Sequence, residues 1–296
     1  MNIFIPNLTT ISRRAMLKLS GASLATLALP NVASAATTLN NKIHQSVCIW
    51  CYSGFMKREK MSTEQFVAAC AELGVKAIDL AGISEWNLLK KYGMICSMAS
   101  SHAIPKGLNR VENHEACLAA VKKSIDAAAE AGFPNVITFS GNTEGLDKKV
   151  GLENCVTALK QISGYAEEKK VTICMEFLNS INHKDYMGDS TAWFVELIGR
   201  VNSPRVKVLY DIYHAAMMKE NALEDIQKHN ACWGHYHTGG MPGRNEIDAS
   251  QTLDYGHLMK AILATGYTGY VGQEFVPKKP DALNSLKEAI AICDVV

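Results

Sequence analysis

The sequence predicts an α/β chain whose residues 43–296 form a single (β/α)8 TIM barrel. Three observations carry this. From residue 43 onward, short apolar runs alternate with helical patterns in eight rounds. Eight such rounds in about 250 residues are what a barrel of this kind requires. Polar, ligand-type side chains also fall at the C-terminal ends of the later apolar runs, where a barrel gathers its chemistry. A doubly wound open sheet is the competing arrangement. It would carry a Gly-rich loop after the first strand, and Ser53-Gly54-Phe55-Met56-Lys57 lacks the G-x-G-x-x-G spacing.

The elements follow in order. Residues 47–52 read as the first strand. The amphipathic run 63–73 starts at a Ser/Thr cap and stops at Gly74. A strand over 77–80 precedes a short helix over 84–92, and 94–99 is the third strand. The long helix 113–131 ends at Gly132. Strand 136–139 leads to a helix over 150–169, strand 171–176 to a helix over 190–201, and strand 206–211 to helical material over 213–229. Strand 232–237, helix 255–265, strand 269–275 and helix 281–293 complete the eight rounds.

Residues 1–35 carry a different pattern. Ser12-Arg13-Arg14-Ala15-Met16-Leu17-Lys18 is a twin-arginine motif, followed by an apolar run over 19–29 and by Ala33-Ser34-Ala35. This order of charged, apolar and small-residue regions predicts a cleaved export signal of the twin-arginine type, and hence a periplasmic protein without stable membrane insertion. Its removal lowers the basic count from 30 to 27 against 29 acids, a net charge of −2. With no Lys/Arg-rich run, nucleic acid is not an expected partner. The nine cysteines all lie beyond residue 47, in odd number and without framework spacing. They read as small buried apolar residues, not a disulfide scaffold. A homo-oligomer is compatible with the sequence.

The predicted strand ends place Glu176, Asp211, His237 and Glu274 on consecutive strands, 35, 26 and 37 residues apart. Each gap is about one βα unit, so the barrel brings the four together. Alternation agrees: Val171, Ile173 and Met175 share one strand face, while Thr172, Cys174 and Glu176 share the inward one. Three carboxylates converging in one mouth repel one another unless a cation lies among them. Three oxygen donors and one imidazole suit Mn²⁺, Mg²⁺ or Co²⁺. His102, after the third strand, is a further candidate for the substrate mouth, with a solvated loop histidine as the plain alternative. His183 lies in a loop after the fifth strand. His235 faces inward one layer below His237. Trp50 and Phe139 are candidate apolar walls, and Trp233 is expected to fill the barrel.

The segments Met175-Glu176-Phe177-Leu178-Asn179, Tyr210-Asp211-Ile212-Tyr213-His214, Gly234-His235-Tyr236-His237 with Pro242-Gly243-Arg244-Asn245-Glu246, and Gly269-Tyr270-Val271-Gly272-Gln273-Glu274 resemble the hydroxypyruvate isomerase family. That family belongs to a wider superfamily of xylose-isomerase-like TIM barrels which includes ketose 3-epimerases. The resemblance covers roughly residues 43–294. It implies that Glu176 and Glu274 are the catalytic acid/base pair and, with Asp211 and His237, hold a divalent metal. It also implies that His214 and Arg244 contact substrate oxygens. Two departures stand out. At the place of His237, hydroxypyruvate isomerases often carry Gln and the epimerases His. Asn245–Gln251 also replaces the family's usual P-G-T-G-E stretch.

Such a site moves a proton between adjacent carbons of a hydroxy-carbonyl compound through an enediolate. The expected substrate is a small sugar or oxo acid, hydroxypyruvate by resemblance. Two alternatives stand beside it: a ketose 3-epimerase, and a periplasmic binding barrel that has lost catalysis.

Overall fold

The computed structural model describes residues 39–296; the export-signal expectation over 1–35 lies outside the described residues. The strands are β1 (His44–Cys48), β2 (Ala77–Asp79), β3 (Ile95–Cys96), β4 (Asn135–Thr138), β5 (Thr172–Glu176), β6 (Val206–Asp211), β7 (Trp233–Thr238) and β8 (Tyr270–Gln273). All pair in parallel, in the order β3-β2-β1-β8-β7-β6-β5-β4. The open side is closed by a parallel bridge between Ala99 and Val136. There Ala99 N–H donates to Asn135 O and Ile137 N–H to Ala99 O, each at 2.9 Å. The expected barrel is therefore present, with its weakest seam between β3 and β4.

Helices fill the connections: α1 (Ser53–Glu59), α2 (Thr63–Glu72), α3 (Trp86–Lys91), α4 (His114–Ala131), α5 (Lys148–Lys169), α6 (Thr191–Val201), α7 (Ile212–Met217), α8 (Ala222–Lys228), α9 (Tyr255–Ala264) and α10 (Ala282–Cys293). Their starts follow local chemistry. Ser62 and Gln65 form a reciprocal capping box on α2, and the side chain of Asp147 accepts the Lys149 and Val150 N–H groups ahead of α5. The helical material expected over 213–229 is two helices. Lys219 adopts a φ of 64° between them, and the side chain of Asn221 accepts Glu224 N–H to start α8. Among the described residues, no helix is long and apolar enough to cross a membrane.

Two expected strands need correction. β1 begins earlier and ends at Cys48; Ile49–Tyr52 is a 3-10 turn leading into α1. Its first half is polar because Gln45 is used inside, accepting from Gln273 Nε2 and donating to Ile290 O, both at 2.9 Å. The third strand is interrupted after Cys96, where Asn135 Nδ2 donates to Ser97 O at 2.9 Å in place of a ladder bond.

The alternation read from β5 and β6 holds. Val171, Ile173, Met175, Val206, Val208 and Tyr210 lie in the apolar layer under the helices, while Cys174 and Leu209 join Ile137, Phe139 and Met98 inside. Trp233 does not fill the barrel. Pairing of β6 with β7 jumps from Val208↔Trp233 to Leu209↔His235. The extra residue, Gly234, is a bulge that reverses the phase of β7. A Cβ on Gly234 would come 2.6 Å from Lys207 Cβ. Trp233 therefore turns outward, with its ring centroid 4.6 Å from that of Tyr210 and Nε1–H donating to Asp225 O at 3.0 Å. Beyond the bulge His235 and His237 face inward.

Tyr210 and Thr191 both donate to Asp225 Oδ2, at 2.7 and 2.6 Å, in a buried network tying β6 and α6 to α8. Tyr210→Phe removes one donor to a buried carboxylate. It is expected to cost ~1.5–3 kcal/mol, read as a lower urea midpoint with an unchanged slope.

Candidate active site

The ends of β5, β6, β7 and β8 deliver Glu176, Asp211, His237 and Glu274 to one point. One ligand atom from each lies within 4.8 Å of the others. All four residues are buried. His237 Nδ1 lies 2.7 Å from Glu274 Oε2 and 3.8 Å from Glu176 Oε1. The short contact to Glu274 is off the hydrogen-bond direction, leaving Nδ1 without an aligned partner.

Arg244 comes from the loop after β7 in a left-handed conformation, φ 56°. That loop is pinned. Gly240 and Asn245 pair their backbones, Val276 N–H donates to Arg244 O at 2.7 Å, and Glu246 Oε1 accepts both Lys278 and Lys279 N–H groups at 2.7 Å. With Glu246 so engaged, the guanidinium reaches inward. Its Nη2 donates to Asp211 Oδ2 at 3.2 Å and to Glu274 Oε2 at 2.5 Å. It lies against the rings of Trp50 and Tyr213, 5.3 and 5.6 Å from their centroids. Its Nε–H is buried and has no partner.

The two glutamates are treated differently. Glu274 receives Arg244, His237 and, on Oε1, the Nε1–H of Trp50 at 2.9 Å. Burial opposes its charge, but Arg244 and His237 outweigh it and hold its carboxyl well below the usual range. Burial, reinforced by the Glu274 charge, pushes Glu176 up to about 8. Burial also raises Asp211, to about 7, against the pull of Arg244. One ionised and one protonated glutamate thus face each other across the cluster.

His214 is fully buried at the start of α7. Asn179 N–H donates to its Nδ1 at 3.2 Å, so the ring proton sits on Nε2, which has no partner. Burial, then Arg244, lowers its pKa well below the usual value and keeps the ring neutral. The loop after β5 folds beside it: the rings of His183 and His214 are 5.2 Å apart, and Asn182 Oδ1 accepts from Asn179 Nδ2 and Tyr213 OH. His102 lies at the end of β4, the strand beside β5. Its Nε2 is 2.8 Å from Thr138 Oγ1 at the end of β4 and its ring is edge-on to Phe139.

Sequence reasoning missed three participants. Asp79, at the end of β2, contacts both His235 and His237; an inward Asp at a strand end was the signal applied to strands five to eight but not to strand two. Asn179 was visible only as part of a motif. Trp50 was expected as an apolar wall, and its indole N–H is also a donor to Glu274. The nine cysteines are free; eight are buried, as expected, and Cys48 lies 3.5 Å from His237.

The residues fit a divalent cation. Three buried carboxylates and an imidazole nitrogen converge, two of the carboxylates keep protons in its absence, and His237 Nδ1 lacks an aligned partner. Hard oxygen donors with one nitrogen match Mn²⁺, Mg²⁺ or Co²⁺ better than a thiolate metal.

Known proteins resemble this chain over both sequence and fold. A Drosophila melanogaster protein named "Putative hydroxypyruvate isomerase" is 25% identical over 155 residues, 52% of this chain and 59% of that protein. The D-psicose 3-epimerase of Ruminiclostridium cellulolyticum is 27% identical over 136 residues, 45% of this chain and 44% of the epimerase. The matches thus span less than two thirds of these relatives' length. The crystal structure of an E. coli 3-keto-D-glucoside 4-epimerase superposes with a TM-score of 0.69 at 16% identity, over 84% of this chain and 97% of the other, a likeness of fold. Residues 60–293 match the sequence model of the family described as xylose isomerase-like TIM barrel, and the chain belongs to that family.

Proposed function

We propose that this chain is a metal-assisted isomerase of a small hydroxy-carbonyl compound, converting hydroxypyruvate to 2-hydroxy-3-oxopropanoate (tartronate semialdehyde). One observation carries the reading: two buried glutamates at the ends of β5 and β8, one ionised and one protonated in the cation-free chain, flank a single cation-binding cluster. The names of the sequence relatives support the substrate class.

Glu274 acts as the base, removing a proton from the carbon that bears the hydroxyl. Glu176 acts as the acid, returning a proton to the adjacent carbonyl carbon, while the hydroxyl proton passes from one oxygen to the other. A divalent ion held by Glu176, Asp211, His237 and Glu274 would stabilise the negative charge of the enediolate. Arg244 Nε–H and His214 Nε2–H, both buried without partners, donate to the substrate's oxygens. The guanidinium suits a carboxylate.

The test is a panel of hydroxypyruvate, ketoses and keto-sugars incubated with Mn²⁺, Mg²⁺ or Co²⁺ in D₂O. The reading predicts isomerisation of hydroxypyruvate with deuterium entering the product. Absence of both turnover and exchange across the panel would favour the binding barrel and sink the enzyme. Exchange at C3 of a ketose, with inversion, would favour a 3-epimerase. His237 supports that second reading, because it stands where hydroxypyruvate isomerases often carry Gln.

Trp50→Phe removes one of the donors to Glu274. It is expected to move the acidic limb of kcat/KM upward by about one pH unit, checked by a pH–rate profile against the parent. We also propose that residues 1–35 direct export to the periplasm, on the twin-arginine pattern. A reporter fused to the full chain and retained in the cytoplasm contradicts this.

A further inference from the structure

Asp79 is fully buried at the end of β2. Its Oδ2 faces Nε2 of His235 at 2.8 Å and Nε2 of His237 at 3.0 Å. Its Oδ1 accepts the hydroxyl of Ser97. The carboxylate is thus held at both oxygens and cannot swing.

β2 and β7 are not neighbours; β1 and β8 lie between them. The contact crosses the barrel interior, and β8 permits it by carrying glycine at the crossing. A Cβ on Gly272 would come 2.4 Å from Asp79 Oδ2 and 2.7 Å from His237 Cδ2. On β1, Cys48 Sγ lies 3.5 Å from His237 Nε2, but a thiol is a weak acceptor. Asp79 is therefore the strong partner of Nε2.

An imidazole that commits one nitrogen as a donor presents the other as a lone pair. With Nε2–H on Asp79, the nitrogen left over is Nδ1, the atom that faces Glu274 and Glu176. A ring flip about Cβ–Cγ would break the Asp79 contact and remove Nδ1 from the cluster. His235, sharing the same oxygen, braces the carboxylate from the layer below.

We propose that Asp79 is a positioning residue for the active site: it fixes the proton of His237 on Nε2 and aims Nδ1 into the carboxylate cluster. This rests on the reading that Glu176, Asp211, His237 and Glu274 hold a divalent ion. It differs from a purely structural role, which would alter stability but neither the ring's proton position nor its affinity for a cation.

The test uses the full chain and the isosteric Asp79→Asn, whose neutral amide no longer confines the proton to Nε2. Free Mn²⁺ is measured by electron paramagnetic resonance during titration. ¹⁵N-histidine spectra are recorded with Zn²⁺ bound. The parent is expected to bind Mn²⁺ and to show a slowly exchanging proton on His237 Nε2 with Nδ1 unprotonated. Asp79→Asn is expected to weaken Mn²⁺ binding 10–100-fold and to lose that slow proton. Gly272→Ala, which keeps both residues but forces their side chains apart, is expected to shift both readouts the same way. Tight parent binding with unchanged affinity and an unchanged ring proton in Asp79→Asn overturns the role of Asp79 alone. A parent that binds no Mn²⁺ overturns the cation reading on which it rests.

Discussion

Glu274→Gln is expected to lower turnover and solvent-deuterium incorporation by about 10²–10⁴-fold, the range of a lost general base. The fold is expected to survive, because the amide keeps the size of the carboxyl. Two donors converge on Glu274: Trp50 on Oε1 and Arg244 on Oε2. An amide offers one oxygen and one NH₂, so at least one of those donors meets another donor. The loss is therefore twofold, the charge that accepts a proton and the pairing that orients it. Glu176→Gln is a contrasting case. Glu176 keeps a proton in the cation-free chain, so a neutral amide resembles its resting state but has no proton to deliver. The two variants should differ in partial reactions: Glu274→Gln blocks loss of the substrate's carbon-bound hydrogen, whereas Glu176→Gln blocks its replacement on the neighbouring carbon. Proton NMR of hydroxypyruvate in D₂O separates them. Unimpaired exchange in Glu274→Gln would remove it from the role of base.

The barrel and most of its mouth were legible because each rests on a local, periodic signal. Val171, Ile173 and Met175 alternate with inward residues, and that alternation alone places Glu176 in the mouth. His235 and His237 were placed inward by the same rule, and it holds for them. The rule fails two residues earlier, at Trp233, because the bulge at Gly234 changes the phase, and a bulge is a pairing event with β6 that β7 does not announce. Asp79 and Asn179 were missed for a related reason. Each acts on a histidine of another strand or helix, 158 residues away for Asp79 and His237 and 35 for Asn179 and His214. Only the closed barrel makes those separations short. Arg244 was visible as a loop cation, but its partners were not. That Glu246 binds two backbone N–H groups, freeing Arg244 to turn inward, depends on how the loops after β7 and β8 pack.

Adding Mn²⁺ to metal-free protein is expected to stabilise the fold more at pH 8.5 than at pH 7. In the metal-free chain Glu176 and Asp211 titrate near 8 and 7, far above their unfolded values of about 4.3 and 3.9. A raised carboxyl pKa means that the folded state binds more protons than the unfolded one. Its contribution is full below the unfolded pKa and is lost as pH rises through the folded value. His237, also raised, acts in the same direction. Glu274 and Asp79 are depressed, so both are ionised in either state at neutral pH and add no slope. His214 has a lowered pKa and opposes the trend only below about pH 6.5, outside the window. The metal-free melting temperature should therefore fall between pH 7 and 8.5. A divalent ion competes with protons for the carboxylate oxygens of this cluster, so its apparent affinity rises over the same interval. At a metal concentration a hundredfold above Kd the gain is about 2.7 kcal/mol, or ~5–10 °C in a domain of this size. Differential scanning calorimetry at the two pH values, with and without Mn²⁺, measures all four states. A metal-free melting temperature that rises with pH, or a Mn²⁺ shift larger at pH 7, would mean that the three carboxylates are not the cation's ligands.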